Sequence, residues 1–207
     1  MNEQSVKKAL QELRKEKERK FEQTVDLIIN LRSFNIKKES INIFVELPHR
    51  VKEKKICALL EKKSGVVDTI TAAEFAKYKD EDIKRTAKEY DSFISVVKLM
   101  PAVAKTFGKV LGPLGKMPSP KLGIILKEDE KLIQDLIIKI NKNVRVITKE
   151  PSLKIPIGRQ SMKDEEIIEN VLAVYKKVFD ELPRKKENLK SVLIKFTMSK
   201  PVKIDTK

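Results

Sequence analysis

The hydrophobic rhythm of this chain changes once and then changes back, and that return constrains the fold more than any single motif. At the start, Val6, Leu10 and Leu13 sit at helical spacing, which predicts a helix with a thin apolar stripe that becomes wholly charged over residues 14–20. The spacing predicts a second helix over about 22–32, with Val25, Ile28, Ile29 and Leu31 on its buried side. Ile43, Val45 and Leu47 then alternate with Asn42, Phe44 and Glu46, as in a strand with two unequal faces, and Pro48 ends it. From about residue 52 to 149 the pattern becomes short apolar runs, at 56–60, 93–97, 122–126 and 144–147, separated by helical segments. That alternation predicts a mainly parallel sheet covered by helices, the clearest of them over 131–141.

After Glu150 the earlier style returns. Leu153, Ile155 and Ile157 predict a strand, Gly158 a turn, and residues 163–182 a long helix with a wide apolar stripe on which Ser161 and Asp164 suggest a capping box. A last strand is expected over 192–198. Neither end block alone has enough apolar material for a core, so the two are expected to pack together on a sheet built from their three strands.

Charge narrows the function. The chain carries 45 Lys plus Arg against 30 Asp plus Glu, a net +15 over 207 residues, and a polyanion is its natural partner. Nucleic acid comes first, because each phosphate neutralised releases condensed counterions whatever the base sequence. An anionic membrane comes second. The apolar runs are far short of the ~20 residues that span a bilayer, and the N-terminus is charged where a signal peptide is apolar, so a cytoplasmic protein without a membrane partner is expected. The single cysteine, Cys57, lies in an apolar run and reads as a small buried hydrophobe, with no disulfide framework or zinc cluster possible.

The densest local signal is FGKVLGPLGKMPSP, residues 107–120, which holds three of the six glycines and three of the nine prolines. It fails as a phosphate-binding loop, since Gly115 and Lys116 lead to Met117 where a hydroxyl is needed, and Val110 stands where the first glycine belongs. It fails the dinucleotide fingerprint too, because Gly108, Gly112 and Gly115 are wrongly spaced. Gly112-Pro113 and Gly115 predict a turn, stiffened by Pro118 and Pro120. His49 is the only histidine and reads as a strand exit. The acidic clusters at 80–82 and 128–130 sit where helices should begin and favour the positive end of the helix dipole. No enzyme, cofactor or metal is expected.

The same fourteen residues are strongly similar to the signature of the L-one family of large-subunit ribosomal proteins, in which Leu-Gly-Pro, one residue, then Gly-Lys-Met-Pro follow a glycine and an aliphatic pair. Further segments agree in order: Lys20-Phe21 with Thr24, Glu46-Leu47-Pro48-His49, Ile157-Gly158-Arg159 with Ser161, and the terminal strand ending in Thr197-Met198. The resemblance covers about residues 5–204, and the length and basic N-terminal helix look more like the archaeal branch.

The resemblance implies an α/β protein of two domains. Residues 1–51 and 150–207 would form a discontinuous α+β domain of split β-α-β type that binds RNA, and 52–149 an inserted Rossmann-like domain. It implies a ribosomal protein that binds large-subunit ribosomal RNA, forms the mobile stalk beside the tRNA exit site and assists release of deacylated tRNA. Repression of translation through its own mRNA is implied as well, with a monomer off the ribosome; a free regulator acting mainly on an mRNA leader is the alternative. Carried over residue by residue, Lys20, Phe21 and Thr24 would meet the RNA at a loop-to-helix junction, Gly158, Arg159 and Ser161 at a second turn, and Thr197 and Met198 at a third, where shape complementarity matters more than charge. The family continues Thr-Met-Gly-Pro, whereas this chain has Ser199 and Lys200 before Pro201; these two are included in the expected surface, Lys200 as a phosphate contact. Leu114 replaces a basic residue common in the family's Gly-Pro turn.

Overall fold

The segment 22–32 shows how a local reading can be overruled. The computed structural model describes residues 1–16, 19–36 and 39–205, and it makes this segment a strand, β1 (Thr24–Leu31), where a helix is expected. Burial alternates along it, with Val25, Leu27, Ile29 and Leu31 inward. The β-branched residues Thr24, Val25, Ile28 and Ile29 lose rotamer freedom in a helix and pack well on a pleated surface, and two neighbouring strands supply that surface.

Those neighbours are β8 (Ser152–Arg159) and β9 (Leu189–Phe196), both antiparallel to β1, with β10 (Val202–Ile204) outside β9. The sheet order is β10-β9-β1-β8. The expected three-stranded sheet is therefore corrected: two of its strands are β8 and β9, held apart by β1, while the third, β2 (Asn42–Glu46), pairs antiparallel with β7 (Asn143–Ile147) in a ribbon of its own.

Helices α1 (Glu3–Arg14) and α6 (Asp164–Glu181) cover one face of the four-stranded sheet, burying Val6, Leu10 and Leu13 from one and Ile167, Val171 and Val178 from the other. The opposite face keeps Asp26, Ile28, Asn30, Leu193 and Lys195 half exposed. Helix α1 stops at Arg14, and Lys15, Glu16, Arg19 and Lys20 of the basic run beyond it are not helical; Lys17 and Glu18 lie outside the described residues. Ser161 does not cap α6. Its start is closed by Glu166, whose carboxylate accepts the Lys163 backbone N–H at 3.2 Å.

Chain contacts divide the molecule into Met1–Lys52 with Lys142–Lys207, the outer unit, and Glu53–Asn141, the middle unit. The expected division at 52–149 placed the 144–147 strand in the middle sheet. That strand is β7, and its pairing with β2 and the burial of Val146 in the outer core assign it to the outer unit.

In the middle unit, β3 (Ile56–Leu60), β4 (Asp68–Thr71), β5 (Ser92–Val96) and β6 (Ile124–Ile125) run parallel in the order β4-β3-β5-β6. All five residues of β3 are buried. Cys57 and Leu59 share a core with Ile83 of α2 (Asp80–Glu89), Val103 of α3 (Met100–Thr106) and Leu111 of α4 (Gly108–Leu114). Ile56, Ala58 and Leu60 share another with Ile133 and Ile140 of α5 (Glu130–Lys142). A parallel sheet covered on both faces needs such unbroken apolar strands.

Gly112-Pro113 is not a turn. Both lie inside α4, where a glycine before proline removes the Cβ that would clash with the proline ring in helical conformation. The helix ends at Gly115, whose φ of 70° lies in the left-handed region open to glycine. Lys116 then donates through Nζ to the carbonyls of Ala87 and Tyr90, at 2.7 and 2.8 Å, tying the loop to the end of α2. The glycine-rich segment is thus bound into the middle unit's own framework.

Candidate nucleic-acid interface

Antiparallel pairing brings three distant segments to one edge of the outer-unit sheet. β1 begins where β8 and β9 end, with Thr24 opposite Arg159 and Val25 opposite Phe196. The turns attached to those strand ends, around 20–23, 160–163 and 197–201, therefore emerge side by side.

Side chains lock the three turns together. Gln23, only 4% exposed, is the junction: its carbonyl accepts the Gln160 N–H at 2.9 Å, its side-chain oxygen accepts the Met198 N–H at 3.1 Å, and its amide nitrogen donates to Gln160 Oε1 at 3.3 Å. The Thr197 hydroxyl accepts the Thr24 N–H at 3.1 Å and donates to the Thr24 carbonyl at 3.3 Å. Glu22 holds the second turn, accepting from Arg159 Nη1 at 2.6 Å and from the Ser161 hydroxyl. The hydrogen bond from Ser161, with Arg159 adding to it, keeps the Glu22 carboxyl below its ordinary value against the opposing effect of desolvation. Beneath, Arg14 at the end of α1 reaches Asp164 at 2.6 Å and the carbonyls of Gln160 and Met162 at 3.2 and 2.9 Å.

The surface so fixed is apolar at two points and cationic around them. Phe21 is 52% exposed and Met198 59%, so neither is a core residue. Lys20, Ser161, Thr197 and Lys200 are exposed, and Thr24, Arg159 and Ser199 are half-buried. Gly158 is different. It is buried, and a Cβ there would lie 3.1 Å from Ile167 Cγ1, so its glycine serves the close approach of β8 to α6. Thr24, expected at a loop-to-helix junction, opens a strand instead.

The departure at Ser199 has a local explanation. Its hydroxyl accepts the Phe196 N–H at 2.8 Å and its own N–H donates to the Phe196 carbonyl at 3.1 Å, closing the turn without the positive φ that would call for glycine. The Lys200 N–H is tied to Glu16 at 3.3 Å, leaving its ammonium outward.

Chemically, such a surface offers an aromatic face and a flexible thioether for stacking, the Thr24 hydroxyl, which has no partner among the described residues, for a ribose or phosphate, and ammonium groups for phosphate. The sequence singles out none of Glu22, Gln23 and Gln160, and marks Arg14 only as the start of a charged run. Their role depends on partners about 140 to 175 positions away, and no local pattern announces it.

Cys57 is 1% exposed and burial pushes its thiol up to about 12, which keeps it protonated. His49 Nε2 meets Glu169 at 2.8 Å on a strand exit anchored by Asn170. Among the described residues no group of His, Cys, Asp and Glu is placed to hold a metal ion, and no helix is long and apolar enough to cross a membrane.

Residues 13–200 match the profile of the ribosomal protein L1p/L10e family. The chain belongs to that family. Among its relatives, the large ribosomal subunit protein uL1 of Nanoarchaeum equitans is 35% identical, the match covering 96% of this chain and 97% of that protein. Those of Pyrobaculum neutrophilum and Thermococcus kodakarensis are 35% and 33% identical, covering 92% and 91% of this chain and 88% and 91% of theirs. The resemblance carried by the glycine-rich signature is thus a family membership on the archaeal side, and the mixed α/β architecture is that of the L1 family.

Proposed function

We propose that this chain is a structural, non-enzymatic constituent of the large ribosomal subunit that grips large-subunit ribosomal RNA with the three turns at the open edge of its outer sheet. The convergence carries the reading: exposed Phe21 and Met198, with Lys20 and Lys200, are held on a framework cross-linked by Gln23, Thr197 and Glu22. A rigid surface suits RNA, whose folded shape is read by complementary fit and stacking. The relatives' names as large-subunit proteins, and the concentration of charge in the outer unit, support the same reading. On the cytoplasmic ribosome the protein would form the mobile stalk beside the tRNA exit site and assist release of deacylated tRNA, and a similar structure in its own mRNA would let it repress its own translation.

Co-sedimentation with purified large subunits in moderate salt tests the assembly. The double substitution Phe21→Ala with Thr197→Ala should weaken binding to stalk RNA by about 1 to 3 kcal/mol while the fold survives. Failure of the wild-type protein to travel with subunits overturns the ribosomal role; unchanged binding by the variant shows the surface to be misplaced.

A further inference from the structure

The end of the outer sheet away from the three turns has a second built surface. β1 is eight residues long, so its far end lies roughly 24 Å from Thr24 at the usual strand rise. There the chain leaves β1 at Arg32 and enters β9 through a short helical turn over Lys185–Asn188. Asn188, 1% exposed, organises the place: its side chain accepts the Arg184 N–H at 2.8 Å and donates to the carbonyls of Arg32 and Ser33, each at 3.2 Å. The Arg32 N–H returns to the Asn188 carbonyl at 2.8 Å. Ser33 and Lys185 adopt φ of 51° and 44°, a conformation costly for a residue with a Cβ that persists here because the surroundings hold it.

What this framework presents is positive charge. Arg32, Arg184, Lys185, Lys186 and Lys190 are all exposed, and Glu187 is the one acid between Arg184 and Lys190. Among the described residues none of the five cations makes an ion pair, and only Arg32 is engaged, through Nε, by the Glu187 carbonyl at 2.8 Å. The three-turn edge differs, since Arg14 and Arg159 there are spent on Asp164 and Glu22. The chemistry favours phosphate over an apolar partner: no exposed large hydrophobic residue lies at 31–36 or 183–190. A cluster of guanidinium and ammonium groups free of ion pairs, carried on a hydrogen-bonded backbone, suits a polyanion backbone.

We propose that this far end is a second RNA-binding surface, whose cations hold the phosphate backbone of an RNA segment separate from the one gripped by the three turns. The inference rests on the ribosomal RNA reading above and adds a second point of attachment to it. The test compares a short stalk hairpin with intact large subunits, for the wild type, for Phe21→Ala with Thr197→Ala, and for Lys185→Asn with Lys186→Gln and Lys190→Gln. Asparagine is chosen because it tolerates the left-handed backbone at 185.

The triple variant should bind the hairpin like the wild type. With subunits its affinity should fall about tenfold, and the slope of log affinity against log salt should become shallower by about 2 to 3. A triple variant indistinguishable from the wild type on subunits overturns the second surface, provided the double variant still weakens both RNAs, and leaves the first reading standing. An equal loss on hairpin and subunits also overturns it, because that is diffuse charge and not a separate contact. A wild type that binds neither RNA overturns both. Asn188→Ala, which keeps every charge but loosens the platform, should reproduce part of the loss on subunits; no loss at equal thermal stability counts against a built site.

Discussion

Both units rest on a four-stranded sheet, yet the two sheets bury different things and leave different things outside. In the middle unit the sheet is parallel and covered on both faces, so β3 is apolar throughout and its chemistry is packing. In the outer unit the sheet is antiparallel, one face is covered by α1 and α6, and the strand ends carry the exposed groups. Charge follows the same division. The outer unit has 28 Lys and Arg against 17 Asp and Glu, a net +11, while the middle unit has 17 against 13, a net +4. Antiparallel pairing returns distant segments to a common edge, which lets residues around 21, 160 and 198 form one surface; a parallel sheet with buried faces needs no such edge chemistry to be stable.

The sharpest way to break this comparison is to damage each core in turn. Phe196→Ala in the outer unit and Phe107→Ala in the middle unit remove side chains 2% and 0% exposed, and each should destabilise its unit by about 3 to 5 kcal/mol in denaturant unfolding. Only Phe196→Ala, at the foot of the third turn, should weaken RNA binding under conditions where both variants remain folded. Loss of RNA binding by folded Phe107→Ala would mean that the middle unit carries the contact.

A smaller effect sharpens the account of how the edge is held. Gln23→Ala removes the part-buried hydrogen bonds to the Met198 N–H and to Gln160 Oε1, and should cost about 1 to 3 kcal/mol of stability at the ~0.5 to 1.5 kcal/mol usual for each bond. RNA affinity should fall with it although no proposed contact residue is changed. A variant that loses stability but keeps full affinity would separate the framework from the surface.

How far these arrangements could be read from sequence differs between the units for physical reasons. Helices α1, α5 and α6 and strands β2, β3, β5 and β9 are legible because each carries its own period or a compact apolar run. β1 is not, because Val25, Ile29 and Leu31 fit either a helical stripe or a strand face, and the choice is made by β8 and β9 more than 120 residues away. β7 is misassigned for a similar reason: an apolar run does not say which sheet it joins. The proposed contact residues are named only through the family resemblance, since no local period singles out Phe21 or Met198. Glu22 and Gln23 were not legible at all, since the bonding of both and the burial of Gln23 are created by the fold they help to close.

The smallest expected effect is on pH dependence. Because the folded Glu22 pKa lies below its ordinary 4.5, the stability it contributes is complete above that value and is lost as pH falls through the folded pKa. Acid titration of the unfolding transition should therefore show the wild type losing more stability below about pH 4.5 than Glu22→Gln does. Parallel curves would mean that the bonds to Ser161 and Arg159 contribute nothing in solution.

The most direct measurement is amide hydrogen exchange, residue by residue, with and without the shortest large-subunit RNA fragment that binds. Slowed exchange concentrated at residues 20–24, 158–162 and 197–200, with 53–141 unchanged, is the predicted result. Protection concentrated within 53–141, with those three turns untouched, would contradict the claim that separated stretches of the outer unit make one RNA-binding surface.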